Sequence, residues 1–163
     1  PVFGAGDVNA RILFVGGGPG EQEDLSGDPF VGRAGKLLDK MLDAVGLSRN
    51  KNVFITNIVK CRPPGNRDPQ PDEVSACIGY LRRQIELINP EYIVCLGRVA
   101  AHCLIDPDFR VTKQHGQFIE KDGILYMGTF HPAALLRNPA QKVDALDDLC
   151  KLRDRLQDNN TTL

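Results

Sequence analysis

The sequence contains no run of about 18 apolar residues, so no segment is fit to cross a membrane as a helix. It also has almost no net charge: 20 Lys and Arg stand against 21 Asp and Glu, giving −1. A chain-wide basic field is thereby excluded, and any hold on nucleic acid has to come from a local patch. The 16 glycines and 11 prolines follow no period, which excludes a collagen-type helix. No CxxC pair occurs among Cys61, Cys77, Cys95, Cys103 and Cys150, and five cysteines do not close as a disulfide framework. This usage reads as that of a reducing, cytoplasmic compartment. Cys95 and Cys103 lie in apolar stretches and are expected to be buried small hydrophobes. The opening PVFGAGDVNA has neither a basic n-region nor an apolar core, so no signal peptide is read. What is present, 42% hydrophobic and 25% charged residues in 163, suits one folded domain over 1–163 with a sizeable core.

Apolar runs alternate with helical patterns along the chain. Arg11–Gly16, Asn52–Asn57 and Glu91–Gly97 read as short buried strands. Ala34–Val45 carries Leu37, Leu38, Met41, Leu42 and Val45 on one helical stripe. Pro71–Ile88 does the same with Val74, Ile78, Leu81, Ile85 and Ile88, and Pro71 and Asp72 mark its start. A short apolar helix is expected around Val99–Leu104, and a longer one over Ala140–Leu156. Lys121-Asp122-Gly123, between Gly116–Glu120 and Ile124–Thr129, signals a hairpin. The repetition predicts an α/β fold of three layers, α/β/α, around a central, mostly parallel four-stranded sheet. Ligands of such sheets bind beyond the carboxyl ends of the strands.

Three loops fall at those ends. The first, Gly16–Lys36, is rich in glycine but fails both phosphate-binding patterns, since Glu21 takes the third glycine position of GxGxxG and Leu37 follows Gly35-Lys36. Glu21, Glu23 and Asp24 suit a water or a sugar better than a phosphate; a tight turn with solvated carboxylates would look the same. Phe30 is either a cap on the core or a flat surface for a base. In the second loop, Thr56–Glu73, Asn57 ends a strand with donor and acceptor on one amide, matching a pyrimidine edge, or else forms a turn. Lys60, Arg62 and Arg67 form a basic cluster among prolines, suited to phosphates or simply solvated. Asn66 is open to an Asx-turn reading. In the third, Thr129–Pro139, His131 is the one histidine on the expected ligand-binding edge. Leu136 and Arg137 pair an apolar wedge with a cation, or form the first turn of the last helix.

Taken in order, these segments resemble the uracil-DNA glycosylase superfamily, specifically its family-4, iron–sulfur members, from about Val2 to Leu156. The matching motifs are Gly16–Asp24 with Pro29-Phe30-Val31-Gly32-Arg33-Ala34-Gly35, Asn57–Pro64 with Asn66-Arg67, and His131-Pro132 with Leu135–Pro139. The resemblance implies hydrolysis of the N-glycosidic bond of deoxyuridine in DNA by base flipping, with uracil-containing DNA as partner and a monomer as default. It further implies that Phe30 stacks on the everted uracil, that Asn57 reads its edge, and that Gly18 and Asn66 complete the uracil pocket. His131 would donate to the uracil oxygen, and Glu23 would hold the water or the sugar cation. Lys60, Arg62, Arg67, Leu136 and Arg137 would meet DNA.

Two departures from the family pattern carry expectations of their own. Gly17 stands where the first motif usually has Glu, a leading candidate for organising the catalytic water. The alternative function is therefore a uracil-DNA binding protein with impaired turnover. Ala133 and Ala134 replace a small hydroxyl residue and an aromatic. Cys61 and Cys77, separated by 15 residues, match two of the four thiolates of the family's 4Fe–4S cluster. The other two ligands are expected from a CxxC upstream of Pro1.

Overall fold

The computed structural model describes residues 1–161. Its centre is a run of four parallel strands, with β2 (Ile12–Gly16) flanked by β3 (Val53–Asn57) on one side and β4 (Tyr92–Leu96), then β6 (Ile124–Thr129), on the other. Two short antiparallel strands close the edges, β1 (Ala5–Gly6) beside β3 and β5 (Ile119–Lys121) beside β6. The sheet therefore has six strands in the order β1-β3-β2-β4-β6-β5. This corrects the expectation of four, which holds for the parallel block alone. The two-residue β1 has no alternation to read. The hairpin turn falls on Asp122 and Gly123, both at positive φ (51° and 82°), the geometry that matches the twist of its strands.

Period-two alternation puts the two faces of β2 into different cores. Ile12 and Phe14 pack with Leu38 and Leu42 of α2 (Arg33–Ala44) and with Leu149 and Leu152 of α7 (Lys142–Thr161). Leu13 and Val15 face the opposite layer, where Leu81 of α3 (Pro71–Ile88) and Ala100 and Ala101 of α4 (Arg98–Leu104) cover the sheet. The three-layer expectation stands. Three short helices fill the connections: α1 (Glu21–Ser26), α5 (Val111–Gln114) and α6 (Pro132–Arg137). Cys95 is buried as expected, whereas Cys103 is exposed, because it sits on the outward side of α4.

The chain steps from β2 out to β3 and then back across β2 to β4. The connections thus leave β2 in opposite directions, and a crevice opens at its carboxyl end. Register fixes what lines it. Gly16 pairs with Asn57, and Leu96 pairs with Thr129, two residues before His131.

Candidate active site

The stacking ring is set by the loop after β2. Phe30 is 7% exposed, and its backbone has φ of 52°, a left-handed conformation that costs a non-glycine residue energy. The Glu23 carboxylate clasps this loop. Oε1 accepts from Gly20 N at 2.9 Å, and Oε2 accepts from Val31 N at 2.9 Å and Gly32 N at 3.1 Å. Both oxygens of Glu23 are therefore engaged by backbone amides. That makes it a support of the Phe30 loop beside the expected role at the water or sugar, for which Oε1 keeps an acceptor site. Two glycines allow the close approach. A Cβ on Gly35 would overlap the Phe30 carbonyl, and a Cβ on Gly16 would lie 2.5 Å from both the Phe30 ring and Asn57 Oδ1. Phe30 and Asn57 thus meet over Gly16.

Asn57 ends β3 and is 2% exposed. Its Oδ1 is buried with no hydrogen-bond partner, which leaves a desolvated acceptor costing about 1–3 kcal/mol unless a ligand supplies a donor. Three residues on, the Lys60 ammonium is 1% exposed and donates to Thr56 Oγ1 (2.6 Å), Asn57 O (2.7 Å) and Gln84 Oε1 (2.7 Å). Desolvation pulls its pKa down to about 8, with Cys77 acting in the opposite sense. Lys60 is thus an internal brace of the strand end, and the expectation that it meets phosphate is corrected. A cation with all three donors used inside the protein has none left for DNA.

The rest of the second loop points outward. Asn66 is exposed at φ 58°, and its Oδ1 accepts from Arg62 Nε at 2.6 Å. It shapes the basic loop through Arg62, which favours the turn reading over the expected place in the uracil pocket. Arg67 donates to Glu73 at 2.5 and 3.3 Å, the carboxylate that also accepts from Gln70 N at the start of α3, so its charge is already partly matched. Hydrogen bonding to Glu73 pushes the Arg67 pKa up, and Arg67 in turn pulls that of Glu73 down.

His131 follows β6 and caps α6. Its Nδ1 accepts from Ala133 N at 3.0 Å, which fixes the proton on Nε2 in the neutral ring. Burial, with the Arg137 cation adding to it, pulls its pKa down to about 4 against a smaller opposing effect of Glu23. The imidazole is 5.4 Å from the Phe30 ring, centroid to centroid, with the planes 33° apart. Its Cβ lies against Gly97 at the end of β4. Phe30, Asn57 and His131 therefore converge at the carboxyl edge of β2, β3 and β4. Gly17 and Gly18 lie on the same edge, half-buried, with Gly18 against Val59 and Pro63. Leu136 is half-buried and Arg137 exposed at the end of α6, where an apolar group and a cation can reach a duplex.

Sequence reasoning missed the Glu23 clasp and Arg49, whose guanidinium holds the carbonyls of Pro29 and Phe30. No local signal announces a contact made across 19 or 20 residues. As for metal ligands, Cys61 is exposed and Cys77 half-buried, and Cys77 Sγ accepts from Lys60 N at 3.5 Å. Among the described residues no group of three or more His, Cys, Asp or Glu side chains is placed to hold a metal. Two thiols do not complete a four-thiolate site, so no step of the chemistry is derived through one.

Comparison with known proteins bears on this arrangement directly. The chain is 44% identical to a Type-4 uracil-DNA glycosylase of Archaeoglobus fulgidus, over 99% of this chain and 85% of that protein. It is 46% identical to one of Thermotoga maritima, over 93% and 81%, and 45% identical to one of Saccharolobus solfataricus, over 99% and 79%. Residues 3–153 match the family model described as the uracil DNA glycosylase superfamily, and it is to this superfamily that the chain belongs.

Proposed function

We propose that this protein is a uracil-DNA glycosylase, which hydrolyses the bond between uracil and deoxyribose in DNA. The observation that carries the reading is the buried, unpartnered Oδ1 of Asn57, set over Gly16 against the Phe30 ring on the edge that also bears His131. A pyrimidine with an N–H beside a C=O supplies the donor that Oδ1 lacks and an acceptor for Nδ2. Cytosine presents the reverse pattern and would leave both atoms unmatched in this orientation of the amide.

To reach this edge the base must leave the duplex, at a cost of a few kcal/mol. Leu136 and Arg137 serve to fill and brace the gap. Phe30 receives one face of the base. As the C1′–N1 bond breaks, its electron pair goes to the uracil ring and positive charge develops on the sugar. The Nε2–H of neutral His131 donates to the uracil oxygen where negative charge collects. Such a donor stabilises the transition state more than the ground state. Water adds to C1′ and releases its proton to solvent, and the base departs as uracil once protonated. Gly17 brings no carboxylate to that water. This observation favours the second reading, a protein that binds uracil-DNA with impaired turnover.

Cys61 and Cys77 are proposed as two ligands of a 4Fe–4S cluster, supported by the N–H···S contact at Cys77. The cluster would order the basic loop between them, and iron and sulfide analysis tests it. The protein is proposed to act as a monomer, since one extruded base presents no symmetry.

Incubation with uracil-containing single- and double-stranded oligonucleotides followed by alkali decides between the readings. Strand cleavage is expected; retarded but uncut DNA would establish the binding reading instead. Asn57→Ala and His131→Ala are each expected to slow excision on the order of a hundredfold. Near-parental rates in both would overturn the site.

A further inference from the structure

We propose that Arg49 is a positioning residue for Phe30, holding the base-stacking ring in place through the backbone. The proposal rests on the reading of Phe30 as the stacking surface. Arg49 lies in the connection between α2 and β3. Its guanidinium makes a three-way fork. Nη1 donates to the carbonyl of Pro29 at 2.5 Å, Nη2 to the carbonyl of Phe30 at 2.8 Å, and Nε to Asp39 Oδ1 on α2 at 3.0 Å. The side chain is 14% exposed, so these bonds are made largely out of water.

The backbone at this point needs holding. Phe30 sits at φ 52°, a conformation that persists only where its surroundings over-determine it. The two carbonyls before the Phe30–Val31 bond and at it are taken by Arg49. The N–H groups at it and after it, of Val31 and Gly32, are taken by Glu23. Gly35 of α2 lets the Phe30 carbonyl press against the helix. The peptide is thus gripped by a cation on its carbonyls and an anion on its amides, and the strained turn between them aims the ring over Gly16. A planar guanidinium is needed for two carbonyls and a carboxylate in one fork. A lysine ammonium is a point donor and cannot reproduce that geometry.

The test combines kinetics with amide exchange in the full chain. Arg49→Met is expected to lower kcat/KM for uracil-DNA ten- to a hundredfold, on the order of the cost of a misplaced reacting partner, with kcat carrying most of the loss. Arg49→Lys keeps the stem and the charge and carries the test if the methionine variant does not fold; about a tenfold loss is expected of it. In a Phe30→Leu background the Arg49 substitutions are expected to add less than about twofold, because they act only through the ring that is already gone. Amide exchange should accelerate at Val31 and Gly32 while β3 and the body of α2 keep their protection. The proposal is overturned by parental kcat/KM in Arg49→Lys, by multiplicative losses in the double variants, or by exchange that accelerates evenly through α2 and β3. If the parent chain itself excises no uracil, the proposed function fails, and the exchange pattern alone decides the role of Arg49.

Discussion

His131 enters the site with its proton already placed. Ala133 N donates to Nδ1, so the neutral ring carries hydrogen on Nε2, and burial beside Arg137 resists a second proton down to about pH 4. An unfolded chain accepts that proton near 6.5, the ordinary value for histidine. The folded-state value is the lower of the two, so the unfolded chain binds more protons between them. The stability that His131 contributes is full above about pH 6.5, declines as the pH falls from there, and is wholly lost below about 4. Urea unfolding at pH 7, 5.5 and 4.5 is expected to show a shallower decline in His131→Gln than in the parent. The difference is bounded by about 1.4 kcal/mol per pH unit for one proton. Parallel declines would contradict the placement. At this scale Asn57 and His131 were legible as unusual residues at or just past a strand end, and Phe30 as an aromatic on a glycine-rich loop, in a chain with few histidines and aromatics. Lys60 and Asn66 were not. Whether a lysine reaches out to a phosphate or back to Thr56, Asn57 and Gln84 depends on what α3 brings to it.

Elements with a repeating apolar pattern were legible nearly to the residue. α3 occupies Pro71–Ile88 as read, and β2, β3 and β4 lie within their expected runs. Elements without a buried stripe were invisible. α1 is EQEDLS with no buried residue, held by Glu23 bonding back to Gly20 rather than by packing. The loop that it interrupts carries the departure at Gly17, and there the structure bears on whether the missing acid can be restored. A Cβ on Gly17 would lie 3.2 Å from Val99 Cβ and 3.3 Å from its Cγ1 on α4, closer than ordinary contact. Gly17→Glu alone is therefore expected to lose about 1–3 kcal/mol to crowding against α4, and to gain little in excision. Val99→Ala added to it removes the Cγ1 contact and leaves the Cβ contact at 3.2 Å, so the relief is partial. The double variant is expected to excise uracil several times faster than Gly17→Glu and to recover part of the lost stability. Equal excision rates in the two would mean that Val99 does not limit the restoration.

Across the whole molecule the charges nearly cancel, so DNA affinity has to be assembled from a local set of cations. The structure sorts them. Lys60 is committed inside, Arg49 to the Phe30 turn, Arg67 to Glu73, and Arg98 to Asp68. Arg137, exposed at the end of α6, and Arg62, half-buried with its Nε on Asn66, are the cations proposed to meet a duplex. Counterion release makes this division measurable, because each phosphate neutralised contributes about one unit to the slope of log affinity against log salt. Arg137→Ala and Arg62→Ala are each expected to reduce that slope by about 1 for uracil-containing duplex. Arg67→Ala should reduce it less, since Glu73 already holds that cation. Lys60→Met should leave the slope unchanged while lowering thermal stability, because it abandons buried acceptors without touching DNA. A loss of slope in Lys60→Met equal to that in Arg137→Ala would place the Lys60 ammonium on a phosphate. It would mean that the strand end bearing Asn57 opens when the protein binds its substrate.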